Sequence, residues 1–220
     1  MNRLRTLLVR GDAPDSFLLA EAAEHLREGG LVALPTETVY GFGCALQEQA
    51  IRKIQALKGR GPDRPFLILV PDRASVDGLA WTPEAEELAR VFWPGALTLI
   101  LRDPRGLFPE GIRSPRGSVA VRLSPHPVAN GLVQALGEPM TSTSANQPGD
   151  RPALSAPEAR VTALALGAGS EFWVLDGGPL DPSLPSTIVD FSAPTPVVSR
   201  IGAIPLNRLR CTLPEIHAPS

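Results

Sequence analysis

Lys58, Arg60 and Arg64 crowd three cations into one short stretch, and the chain's only other lysine, Lys53, lies just before them. Upstream, Pro35–Gly43 carries the hydroxyls of Thr36, Thr38 and Tyr40, the Glu37 carboxylate and two glycines. Hydroxyls and glycine-freed amides at the end of a buried strand are what an open α/β sheet uses to hold a small polar ligand. Guanidinium and ammonium groups beside them suit an anion such as a phosphate chain. Ser144, Asn146 and Arg200 are further candidates, so a nucleotide would be cradled by Lys58, Arg60, Arg64, Ser144, Asn146 and Arg200 with the strand-end hydroxyls alongside. A plainer alternative stands beside this one. Lys and Arg at a helix C-terminus complement the helix dipole, and Pro-Thr-Glu-Thr makes a simple turn. No P-loop, dinucleotide fingerprint, His-Glu-x-x-His or Gly-x-Ser-x-Gly is present, and the three His are scattered.

These residues need elements to position them. The apolar run Leu31–Leu34 reads as a buried strand, followed by a motif loop to Gly43. Ala50, Ile51, Ile54 and Leu57 mark one face of a helix that delivers Lys58. Before them, Met1–Arg10 reads as an edge strand, and Asp15 or Ser16 caps a helix with Leu18, Leu19, Ala22, Ala23 and Leu26 inward. Strands are predicted over Phe66–Val70, Leu97–Leu101, Ser118–Leu123, Pro139–Thr143, Phe172–Leu175, Ser186–Asp190 and Val197–Arg200. Asp72 can cap a short helix, and Thr82-Pro83-Glu84 starts another with Leu88, Val91 and Phe92 inward. Helices are also predicted over Pro127–Leu136 and Pro157–Leu166. Arg102–Gly117, with four arginines, reads as a solvated basic loop or a mobile lid. Strands that alternate with helices and end in consecutive strands argue a twisted mixed α/β sheet with helices against it. Residues 1–206 read as one domain and 207–220 as a C-terminal tail.

A length of 220 residues suits one domain with a proper core. The net charge of -2 gives no global basic field, so bulk attraction to nucleic acid is not supported. Cys44 and Cys211 have no metal-type spacing, no run reaches the length of a membrane span, and no signal-peptide core opens the chain. The expectation is a cytoplasmic protein with no protein-only metal site.

Several motifs stand in a fixed order. They are LPTETVYGFG (Leu34–Gly43), KGRGPDRPF (Lys58–Phe66), FWPGALTLIL (Phe92–Leu101), SVAVRLSPHP (Ser118–Pro127), STSAN (Ser142–Asn146), STIVD (Ser186–Asp190) and RIG (Arg200–Gly202). Together, over about Leu31 to Gly202, they resemble the YrdC/Sua5/TsaC family, the threonylcarbamoyl-AMP synthases. The resemblance implies an open, mixed to antiparallel sheet, flanked by helices, around a concave basic cavity. It implies a reaction of L-threonine, bicarbonate and ATP with Mg²⁺, giving threonylcarbamoyl-AMP and pyrophosphate for the t6A37 modification of tRNA. Partners of the TsaD, TsaB and TsaE kind are implied too, and direct contact with tRNA is left open. Residue by residue, Thr36, Arg122, Ser142 and Ser186 match threonine contacts. Lys58 and Arg60 match the catalytic Lys-x-Arg pair facing the phosphates. Arg64, Ser118, Ser144, Asn146 and Arg200 match nucleotide contacts, and Thr38 and Tyr40 are placed as pocket lining.

The chain departs from the family pattern at Gly61, which stands before Pro62, and at Arg64, Phe66, Leu69 and Pro152. It is most similar to the short TsaC type. Two other readings share the fold: a tRNA- or double-stranded-RNA-binding protein without synthase activity, and a carbamoyl-transfer module of hydrogenase maturation. Low aromatic content speaks against the first, and the lack of acylphosphatase or zinc-finger segments against the second.

Overall fold

A computed structural model describes residues 4–61 and 63–217. Its strands are β1 (Arg5–Leu8), β2 (Leu31–Pro35), β3 (Tyr40–Gly43), β4 (Leu67–Leu69), β5 (Leu97–Arg102), β6 (Ser118–Arg122), β7 (Met140–Ser144), β8 (Phe172–Asp176), β9 (Thr187–Asp190) and β10 (Val197–Arg200). The helices are α1 (Ser16–Arg27), α2 (Glu48–Lys58), α3 (Pro83–Phe92), α4 (Pro127–Leu136), α5 (Ala156–Ala165) and α6 (Leu206–Thr212), with a short 3-10 turn at Ala74–Val76. All strands join one open sheet in the order β1-β8-β2-β3-β7-β4-β6-β5-β9-β10. Parallel and antiparallel neighbours mix throughout, as the strand and helix order implied.

Local chemistry explains where the helices begin. Asp15 accepts the amides of Phe17 and Leu18 at the start of α1, Thr82 accepts from Ala85 at α3, and Ser155 accepts from Glu158 at α5. At the other end of α2, Gly59 turns left-handed (φ 56°), which a side chain would resist.

The register of the strands sorts their side chains onto two faces, because successive residues alternate. On one face lie Phe42, Ile68, Leu99, Val119, Val121 and Val189, packed into a core that α2, α3, α5 and α6 cover with Ile51, Leu88, Ala159 and Leu209. Over β1, β8 and β2 the other face is covered by α1 and α4, whose Leu19, Leu26, Leu132 and Val133 meet Val32, Leu34 and Leu175. Over β3, β7, β4, β6, β5 and β9 the same face carries Gly41, Ser142, Ser144, Leu67, Ala120, Arg122, Thr98, Ile100, Ile188 and Asp190. Ser144, Leu67, Ala120, Ile100, Ile188 and Asp190 there keep contact with solvent. That half of the sheet is the open surface.

Four readings change. The expected motif loop is a hairpin, since Tyr40–Gly43 pairs with both β2 and β7. Val91 points outward, and Ala85 and Ala89 take the inward places beside Leu88. The basic loop 102–117 is not a free lid. Asp103 is fully buried, accepts the amides of Leu107 and Phe108 at 3.0 and 3.1 Å, and pairs with Arg113. Ile112 is buried in the core below it.

Nor is the segment after Leu206 a loose tail, because Leu209 and Ile216 enter the core and Val197 bridges to His217. Residues 1–3 of the expected edge strand, Pro62, and residues 218–220 of the expected tail lie outside the described residues.

Leu209→Ala removes a fully buried side chain. It should cost about 2–4 kcal/mol in urea unfolding, with a matching fall in Tm. An unchanged midpoint would mean that α6 is not docked.

Candidate functional site

The cation pair is built by the end of α2. Ile51 and Ile54 bury one face of the helix, which aims Lys58 at the end of β7. Lys58 Nζ donates to the carbonyl of Ser144 at 2.9 Å, to the carbonyl of Asn146, and to Asn146 Oδ1 at 3.3 Å. Ser144 Oγ closes the group by donating to Asn146 Oδ1 at 2.6 Å. Burial first and Arg60 second push the Lys58 pKa down to about 8. The left-handed Gly59 then swings the chain so that Arg60 stacks over Phe66, 5.1 Å from the ring centre. Burial, and then Arg64, pull Arg60 below the usual arginine range, while Arg64 itself is exposed. No carboxylate neutralises Lys58 or Arg60 among the described residues. Half-buried uncompensated cations are poised for an anion that arrives from outside.

A second group gathers around Arg122, the last residue of β6. It is 5% exposed. Its Nε and Nη2 both donate to Glu37 Oε1, at 3.2 and 2.5 Å, and Nη2 also donates to Thr38 Oγ1 at 3.1 Å. Ser124 Oγ holds the other oxygen of Glu37 at 2.5 Å. The turn between β2 and β3 presents Glu37 and Thr38. Thr36 shapes that turn: its hydroxyl donates to the carbonyl of Val39 at 2.8 Å and lies 3.1 Å from Thr38 Oγ1.

The third group joins Ser186, just before β9, with Thr98 of β5 and Arg200 of β10. Ser186 Oγ sits 2.9 Å from Thr98 Oγ1, and Arg200 donates to the Ser186 carbonyl at 3.0 Å and to its hydroxyl at 3.1 Å. Arg200 is held below the usual arginine range by burial and then by Arg122, so the second and third groups are electrostatic neighbours.

Ser142 is buried on β7, opposite Leu67 and close to β3. A Cβ on Gly41 would come within 3.0 Å of Ser142 Oγ, so glycine is what lets the hairpin approach β7 there. Ser118 pairs with Ser114, their hydroxyls 2.8 Å apart, and faces a cavity of about 330 Å³ lined also by Ile100, Arg116, Ala120 and Asp190.

Thus Ser118, Arg122, Ser142 and Ser144 share the open sheet face. Glu37 and Thr38 of the turn meet Arg122 there, Lys58 meets the end of β7 from the α2 side over the ring of Phe42, and Ser186 with Arg200 lies beside Thr98 of β5. The arrangement is a face with three polar groups. The cavity at the Ser118 end is lined by none of Lys58, Arg60 and Arg122.

Tyr40 is not pocket lining: it is fully buried, donates to the carbonyl of Gly178 at 2.6 Å and accepts the Gly177 amide at 3.2 Å. Burial pushes its hydroxyl up to about 12, so it stays a donor that fastens the loop after β8. Ser114 and Ser124 have no role in the sequence reading, and Glu37 appears there only as one polar group of the motif. The alternation in SVAVR and LTLIL, with Ser118, Arg122 and Thr98 on the same face, was the available signal for where to look. Among the described residues no group of three or more His, Cys, Asp or Glu side chains could hold a metal ion.

The sequence profile of a family described as Telomere recombination (Sua5, YciO and YrdC) matches residues 24–202. A threonylcarbamoyl-AMP synthase of Pyrococcus abyssi is 37% identical over 204 residues, covering 89% of this chain and 57% of that protein. A putative threonylcarbamoyl-AMP synthase of Mycobacterium tuberculosis is 37% identical over 194 residues, covering 87% of each. The solved structure of P. abyssi Sua5 complexed with L-threonine superposes with a TM-score of 0.88 at 35% identity, covering 97% of this chain and 62% of that one. The chain thus spans somewhat over half the length of its P. abyssi relative. With a profile match across most of its length and relatives of this similarity, the chain belongs to the Sua5/YciO/YrdC family.

Proposed function

We propose that this protein is an L-threonylcarbamoyladenylate synthase, a nucleotidyltransferase that joins L-threonine, bicarbonate and ATP into threonylcarbamoyl-AMP and releases pyrophosphate. The observation that carries the reading is the occurrence of two kinds of cation site among the motif residues. Lys58 and Arg60 are half-buried without a counter-charge, while Arg122 is buried beside the threonine-rich turn. Relatives named threonylcarbamoyl-AMP synthase and a Sua5 structure with L-threonine support the same substrates.

In this reading the threonine carboxylate meets Arg122, and Thr36, Ser142 and Ser186 shape the place around it. The amine adds to the carbon of bicarbonate with loss of water, giving a carbamate, and a carbamate oxygen then attacks the α-phosphorus of ATP as the bond to the leaving pyrophosphate breaks. The protein performs little covalent chemistry. It aligns the reactants and neutralises the charge that grows on the α-phosphate and the leaving pyrophosphate. Lys58 and Arg60 supply that neutralisation, with Arg64, Ser118, Ser144, Asn146 and Arg200 holding the nucleotide. In the free protein Lys58 is occupied by the carbonyls of Ser144 and Asn146, so the triphosphate competes with oxygen atoms already in place. Mg²⁺ comes with the triphosphate as part of the substrate. Action in the cytoplasm, delivery to TsaD-, TsaB- and TsaE-type proteins and use of the product for t6A37 in tRNA belong to the same proposal.

The test incubates the protein with ATP, Mg²⁺, L-threonine and labelled bicarbonate and follows threonine-dependent pyrophosphate and adenylate. Lys58→Ala and Arg60→Ala should each lose at least about a hundredfold of this turnover while near-native unfolding midpoints persist. Full turnover in both would remove the case for the cation cradle. Arg122→Ala should raise the threonine requirement at least about tenfold and the ATP requirement far less. Equal effects on both would rule out the carboxylate role.

The pH dependence follows from Lys58. An anion favours its charged form, so binding a triphosphate takes up a proton when Lys58 is neutral. With its pKa at about 8, triphosphate affinity should fall about tenfold between pH ~7 and ~9 if binding needs the charged form. Calorimetry in buffers of different ionisation enthalpy reads the proton uptake directly, and a flat profile would contradict the assignment.

A further inference from the structure

The most buried ion pair among the described residues is Arg122–Glu37, whose side chains are 6% and 19% exposed. Glu37 meets the guanidinium along one edge only. Its Oε1 accepts from Nε and Nη2, and Thr38 Oγ1 accepts from Nη2 as well. Nη1 donates to no protein group among the described residues, and it is not a buried orphan either. Glu37 is itself fixed, because Ser124 Oγ donates to Oε2, and Ser183 Oγ donates to the carbonyl of Thr38 beside it at 2.9 Å. The clamp therefore has one closed edge and one free donor group.

We propose that Glu37 is a positioning and specificity residue for the amino-acid substrate. It holds the Nε–Nη2 edge of Arg122 and leaves Nη1 to receive a carboxylate. It also cancels the charge of Arg122, so the subsite accepts an α-amino acid as a zwitterion and disfavours a carboxylate that lacks the ammonium group. The inference rests on the reading that Arg122 binds the carboxylate of threonine.

The physical argument is one of charge balance in a partly dry place. Arg122 and Arg200 lie close enough to interact, and without Glu37 both guanidiniums would attract any carboxylate. With Glu37 present, a zwitterion brings no net charge, and its ammonium group finds a carboxylate next to the guanidinium that holds its own carboxylate. A simple hydroxy acid brings a lone negative charge next to the Glu37 carboxylate, and like charges in low dielectric repel strongly. Selection thus comes as much from what Glu37 rejects as from what Arg122 attracts.

The experiment compares binding of L-threonine and of 3-hydroxybutanoate, which keeps the carboxylate and the β-hydroxyl but lacks the amine. Calorimetry is run on the wild type, Glu37→Gln, Glu37→Asp and Ser124→Ala, with unfolding midpoints measured in parallel. The wild type should prefer threonine by at least about tenfold, a charge-assisted contact being worth that much. Glu37→Gln should weaken threonine and hold or strengthen 3-hydroxybutanoate, so the ratio collapses. Glu37→Asp should keep most of the preference. Should Glu37→Gln fail to fold, Ser124→Ala, which frees one Glu37 oxygen, should still narrow the ratio.

Equal loss of both ligands in the folded variants would make Glu37 merely structural and overturn the inference. So would an unchanged ratio. A wild type that binds neither compound would overturn the threonine assignment itself, together with what is built on it.

Discussion

The architecture depends on β7 being hydrogen-bonded along both edges. It pairs with β3 on one side and with β4 on the other, antiparallel in both cases. A strand held on both sides cannot slip by one residue, because slippage would turn Ser142 and Ser144 into the apolar core and bring Thr141 and Thr143 out. Through β7 the hairpin with the threonine turn and the β4–β6–β5–β9 half of the sheet become one surface. Arg122 lies on one side of that seam, and Glu37 and Thr38 on the other. Lys58 is tied to the seam itself by the carbonyls of Ser144 and Asn146.

The cations of the candidate site fall into two electrostatic regimes. Arg122 is compensated by Glu37, with Thr38 as a second acceptor, while Ser124 holds the far oxygen of Glu37. Lys58 and Arg60 are desolvated and repelled by neighbouring cations, with only neutral acceptors and an aromatic face for company. A buried pair already in balance is rigid and selective, and its formation adds little net stability. Uncompensated cations store an unfavourable interaction that a polyanion relieves on binding. The two regimes differ in whether the cation meets a counter-charge within the protein.

Much of this was legible in the chain. The runs LVALP and SVAVR, the caps Asp15 and Thr82, and the order of strands and helices led to a mixed α/β sheet, and that is the fold. Lys58, Ser144 and Asn146 were picked out as chemistry-bearing residues and do meet. Tyr40 misled because a hydroxyl among hydroxyls looks like a ligand group. Its ring is needed in the core, and its oxygen is consumed by the backbone of Gly177 and Gly178. Glu37 was seen in the motif but given no role, because a lone carboxylate in a turn has no local signature. Its partner stands eighty-five positions away in the sequence. The segment beyond Leu206 read as a tail because its core contacts, Leu209, Leu213 and Ile216, are few and set apart by polar residues.

Taken alone, the amino-acid sequence determined the periodicities: which stretches alternate, where helices start, and which residue types are available for chemistry. Those are properties of neighbours along the chain, decided by sterics and by hydrogen bonds a few residues apart. Tertiary structure alone decided which strand lies beside which, and so whether a given arginine is neutralised or left charged. Strand order rests on contacts between distant segments whose stability is collective, and no single stretch encodes it. Arg122 and Arg60 are the same residue type, yet β-sheet pairing places the first against Glu37 and leaves the second against the ring of Phe66.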